Sequence, residues 1–199
     1  MKYGIDNLIG IMEDFTKGVQ RSRQAEAEAI KRYNSDTAQK EVDSLRDSLK
    51  QFAKKQAGYF EQQISETIDT VQKDQESSKY LSDAGFANAV KIISSGGEKL
   101  AGDVIRALVR PYMDDYVARR SVAAILSQQG RDPQSVGIAD TVDALSILEG
   151  VKRDSVFTFF AGDTGADLPM SSAPSVIVHN LNRAAAILEG TYDADAITI

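Results

Sequence analysis

"VDSLRDSLKQFAKKQAGYFEQQISETIDTV", Val42 to Val71, holds no proline and spaces its apolar residues for a helix. Val42, Leu45, Leu49 and Phe52 form one set, and Phe60, Ile64, Ile68 and Val71 continue it at steps of three and four. Ala38, Leu49, Phe60 and Val71 are each eleven positions apart, as are Val42, Ala53 and Ile64. An eleven-residue repeat has about 3.67 residues per turn, so the stripe runs nearly straight along the helix. A helix from Asp36 to Lys79 would be roughly 65 Å long at 1.5 Å per residue. A following domain of some 120 residues has a radius of gyration of only about 14 Å and cannot cover such a stripe. The spacing therefore predicts two partners for it: the preceding helix folded back as an antiparallel hairpin, and a second copy with which that hairpin assembles into a bundle.

The preceding residues suit the first role. Ile5, Leu8, Met12, Phe15 and Val19 step by three and four and form a second apolar stripe. "YNSDT" follows at Tyr33 to Thr37, where Asn34, Ser35 and Asp36 can end one helix and cap the next. Residues 1–80 thus read as a long helical hairpin or coiled coil that drives oligomerisation, with Val42, Leu45, Leu49, Phe52, Phe60, Ile64, Ile68 and Val71 as the interface.

Near Tyr80 the composition changes. All four prolines and ten of the fourteen glycines lie beyond it. Residues 81–199 read as a compact mixed domain of shorter helices, broken at Gly96–Gly97, Pro111 and Gly130. Two segments there end alike, "ALSILEG" at Ala144–Gly150 and "AAAILEG" at Ala184–Gly190. Each follows a Gly/Asp/Pro loop, and Gly150 and Gly190 stand where a left-handed cap belongs. "VFTFF" (Val156–Phe160) and "ITI" (Ile197–Ile199) come next, with strand-forming residues. Two helix–strand units are expected, 139–160 and 174–199. The expected class is mainly α with a small α+β C-terminal part: a long N-terminal hairpin, then a compact helical domain with one or two short strands.

Chemistry is sparse. The chain has no cysteine, so it forms no disulfide and no thiolate metal site. Its one histidine, His179, allows no His–His metal site, and Ser171, Ser172 and Ser175 lie in no G-x-S-x-G elbow. Ser94–Gly97 lacks the P-loop spacing. Asp114 and Asp115 read as part of a solvated helix face, with Asp115–Arg119 and Tyr116–Arg120 at i,i+4. Asp163–Gly165 spells D-T-G and resembles the catalytic loop of aspartic proteases, which would make Asp163 and Asp167 a hydrolase site; a helical chain is a poor host for that loop, and a turn is the better reading. No catalytic, cofactor or metal residue is assigned.

Net charge is −6, and residues 139–199 carry three basic against nine acidic side chains. That balance disfavours nucleic acid and anionic membranes. No apolar run approaches the ~20 residues of a membrane span. The plan suits a non-enzymatic structural or assembly protein, of a phage or another bacterial particle. It would oligomerise through its N-terminal helices and dock a protein partner through its C-terminal domain, in the cytoplasm or a virion, with secretion left open. The first alternative is a secreted helical adaptor or toxin-delivery module: "LIG" at Leu8–Gly10 resembles the L-x-G tripeptide of the LXG family, although the tryptophan turn and tyrosine export motif of related secreted hairpins are absent. The second alternative is the Asp163/Asp167 hydrolase.

Overall fold

The computed structural model describes residues 3–138, 143–164 and 173–190, with the backbone alone at Lys79, Glu98 and residues 162–164. Every regular element among them is helical. The α-helices are α1 (Ile5–Arg32), α2 (Ser35–Glu76), α3 (Ala84–Gly96), α4 (Gly102–Val109), α5 (Tyr116–Gln128), α6 (Ala144–Thr164) and α7 (Pro174–Glu189), joined in places by 3-10 turns. Among the described residues the fold is all-α, which corrects the expected α+β C-terminal part.

The correction centres on Val156–Phe160, expected as a strand and found inside α6. Side chains buried along α6 are Ala144, Leu148, Val151, Ser155, Thr158, Phe159 and Ala161, a helical spacing throughout. β-propensity reflects fit to a pleated, half-buried surface, and tertiary packing overrides it here. The buried hydroxyls are satisfied within the helix: Ser155 Oγ donates to the Lys152 carbonyl at 2.8 Å and Thr158 Oγ1 to that of Asp154 at 3.4 Å. Gly150 ends nothing, because α6 runs through it without a positive φ. Gly190 does follow a helix, with φ at 71°. The two "ILEG" segments are therefore not equivalent units. The strand expected at Ile197–Ile199 lies outside the described residues.

By its contacts the chain divides into two compact units, each discontinuous in sequence. One holds Met1–Ile68 with Ile147–Asn182, the other Asp69–Ser146 with Arg183–Ile199. The composition change near Tyr80 falls in a 3-10 turn, Lys79–Ser82.

In the first unit α1 and α2 run antiparallel. Thr67 Oγ1 donates to the Tyr3 carbonyl at 3.0 Å, the rings of Phe15 and Phe52 stack at 6.3 Å, and Arg46 pairs with Glu26 at 3.3 Å. Asn34 turns the corner: its side-chain oxygen accepts from the Thr37 amide at 3.1 Å, as a helix cap does. Gly18 lets Phe52 approach, since a Cβ there would lie 2.3 Å from the ring. Phe159 of α6 then closes on the hairpin, touching both Phe15 and Phe60.

In the second unit α3, α4 and α5 surround Phe86, Ile93, Ile105, Val109, Val122 and Leu126. Tyr80, Phe86 and Tyr112 form an aromatic cluster with centroids 5.2–6.4 Å apart. Arg131 reaches the carbonyls of Gly97 and Leu100 at 3.1 and 2.6 Å, tying down the turn after α3.

Candidate docking groove

Among the described residues, those singled out for chemistry serve as caps and local anchors. Asp115 caps α5, accepting from the Ala118 amide at 2.9 Å and the Ser78 hydroxyl at 3.0 Å. Asp114 accepts from the Tyr80 hydroxyl at 3.0 Å. Arg119 donates to the carbonyls of Met113, Ile187 and Leu188. It thereby adds donors to carbonyls in the last turn of α7, where the Ile187 carbonyl also accepts from the Gly190 amide at 3.2 Å. Tyr116 and Arg120 converge on Asp143. The tyrosine hydroxyl donates to it at 3.2 Å and the guanidinium pairs with it at 3.0 Å, while the Ala144 amide donates to the tyrosine oxygen at 3.1 Å. Burial pushes the Tyr116 hydroxyl above its ordinary pKa, and the Asp143 charge adds to the rise. This cluster anchors the start of α6.

His179 and Ser175 are exposed on α7. Ser94–Gly96 form the last turn of α3. Asp163 stands in the last turn of α6, while Ser171, Ser172 and Asp167 lie outside the described residues. Among the described residues no three His, Asp or Glu side chains gather to hold a metal ion, and no helix is long and apolar enough to cross a membrane.

The seam of α2 is covered within the chain. Val42, Leu49, Phe60, Ile64, Ile68 and Val71 are each at most 9% exposed, and Leu45 and Phe52 are partly buried. Its covers in the first unit include Phe15 on α1 and Phe159 on α6.

A different surface stands uncovered. On α6, Val156, Phe157 and Phe160 are 63%, 54% and 66% exposed. Lys152, Val156 and Phe160 follow one another at i,i+4 and form one wall of a groove of about 480 Å³. The other wall is α2, where Lys50, Lys54, Ala57 and Glu61 step by four, three and four. Ala53 and Ala57 are short, so the floor is recessed between two ridges, with Phe159 beneath. Lys50 pairs loosely with Asp47 at 3.7 Å, while Lys54 and Lys152 have no ion pair among the described residues. Ser155 is the one hydroxyl in the lining among the described residues, and it is already bonded to its own helix. Among the described residues the lining thus offers lysines and one carboxylate around an apolar floor, a set suited to binding. The sequence reading missed it because a strand at 156–160 would have sent these side chains to alternate faces.

The chain matches no family model, no curated protein and no solved structure.

Proposed function

We propose that this is a non-enzymatic structural or assembly protein that works by docking another protein along the α2–α6 groove. The observation that carries this reading is the exposed Val156–Phe157–Phe160 patch beside a recessed, lysine-flanked trench. Contiguous apolar surface of this kind, rimmed by polar groups, marks interaction sites in globular proteins. Particle assembly, in a phage or otherwise, is the setting such a plan suits. Self-assembly through Val42–Val71 would require the hairpin to open or exchange, since that seam is buried inside one chain. Selection of a random library of helical peptides on the immobilised protein tests the docking reading. It requires binders weakened about tenfold or more by Phe160→Ser, as expected for a central apolar anchor, with the melting temperature unchanged. Binders indifferent to Phe160→Ser and Val156→Ser would refute it.

A further inference from the structure

The geometry points to an acidic amphipathic helix as the occupant of the α2–α6 groove: an apolar stripe flanked by carboxylates, carried by a protein other than this one. The inference rests on the docking reading above and adds the partner's chemistry.

Shape is the first argument. The walls are two helices and the floor lies between them, so the opening is a trench. From Lys50 to Glu61 it runs about 16 Å, three helical turns at 1.5 Å per residue. A helix laid in such a trench presents anchors at i, i+4 and i+7. Val156 and Phe160 on one side, with Phe159 below, supply the apolar contact.

Charge is the second. The chain as a whole is at −6, yet among the described residues this lining carries Lys50, Lys54 and Lys152 against Glu61 alone. The three ammonium groups flank the apolar floor from both walls, and two of them have no ion pair among the described residues. A partner with carboxylates on both edges of its apolar stripe meets them, and one with lysines there is repelled. The same charges argue against a second copy of this chain. A two-fold contact sets a patch against itself and would oppose one lysine rim to the other. A membrane surface is flat and would leave the recessed floor unfilled.

The test uses the full chain and three labelled peptides of about 18 residues, five helical turns. All three share one leucine stripe and differ only in having Glu, Gln or Lys along its edges. Fluorescence anisotropy should rank them Glu, Gln, Lys, with roughly tenfold between Glu and Gln for three rim contacts at low salt. The gap should shrink as salt shortens the reach of the charges. Replacing Lys50, Lys54 and Lys152 together by Glu should reverse the order. The milder Lys54→Gln with Lys152→Gln should narrow it, and these surface changes should leave the circular dichroism unaltered. Equal binding of all three peptides, lost with Phe160→Ser, would leave the docking reading standing and overturn the acidic assignment. Failure of all three to bind would overturn both. Two results would reassign the occupant and overturn the proposal: a wild-type dimer in sedimentation that Phe160→Ser dissolves, or Phe160-dependent cosedimentation with vesicles of equal phosphatidylcholine and phosphatidylglycerol.

Discussion

The rings of Phe15 and Phe159 meet edge to face, centroids 4.7 Å apart and planes at 65°. Phe159 also lies 5.7 Å from Phe60, so one side chain of α6 joins both arms of the N-terminal hairpin. Phe15 and Phe60 are almost wholly buried, and Phe159 is 4% exposed. Removing the Phe159 ring would leave a cavity lined by two others. Phe159→Ala should lower the unfolding free energy by about 3–5 kcal/mol, measured by urea denaturation. Its exposed neighbour provides the control: Phe157→Ser should change stability by no more than about 0.5 kcal/mol.

Gly18 gives a prediction with two opposing parts. Alanine is favoured over glycine inside a helix by about 1 kcal/mol. The added methyl, however, would sit 2.3 Å from the Phe52 ring, which is held by its stack on Phe15. Overpacking of this kind costs about 1–3 kcal/mol, so Gly18→Ala should destabilise. In a Phe52→Leu background the clash is relieved, and the same change should turn stabilising. A double-mutant cycle by thermal melts reads the sign reversal.

Gly150 and Gly190 should respond in opposite ways. At Gly190 φ is 71°, and a Cβ would lie 2.8 Å from the Arg119 guanidinium. Gly190→Ala should lose about 1–2 kcal/mol to backbone strain alone, and more if Arg119 is driven from the Ile187 and Leu188 carbonyls. A Cβ at Gly150 meets nothing nearer than Arg153 at 3.9 Å. Gly150→Ala should therefore raise stability by up to about 1 kcal/mol. Differential scanning calorimetry of the two variants checks the contrast.

Tyr116 should make the protein sensitive to alkali. Its hydroxyl titrates above the ordinary value of 10.0 in the folded chain, chiefly because it is buried. The folded state thus holds the proton more tightly than the unfolded state. This contribution is complete below about pH 10 and is lost as pH rises through the folded value. Tyr116→Phe should flatten that part of the stability–pH curve. At neutral pH it should cost about 1 kcal/mol, because the Ala144 amide loses its acceptor and Asp143 a donor.

The helices of the N-terminal half are legible because their stripes are long. Ile5 to Phe15 and Val42 to Val71 repeat at helical spacing over several turns, and "YNSDT" marks the corner by its capping residues. Val156–Phe160 is five residues, too short for its own periodicity to outvote its β-forming composition. Only the wider set of Leu148, Val151, Ser155 and Phe159 reveals the helix, and a supposed stop at Gly150 cut that set in two. The fold-back of α1 over the α2 seam was legible from its own stripe, but the share that α6 covers was not. Nothing local to Phe60 announces Phe159, since their meeting is a property of the folded chain. The groove was lost with α6: once 156–160 is taken as a strand, Lys152, Val156 and Phe160 no longer share a wall.

The first compact unit borrows its closing residues from far along the chain, and this gives the protein a vulnerable infancy. During synthesis Phe60 precedes Phe159 by about a hundred residues, a wait of roughly 5–20 s at about 5–20 residues per second. Throughout that interval the α1–α2 hairpin lacks the ring that seals it, and part of its greasy seam is open to other nascent chains and to chaperones. Messages truncated ahead of α6 would yield products stuck in that state. The danger of aggregation for this protein thus belongs to its making more than to its finished form.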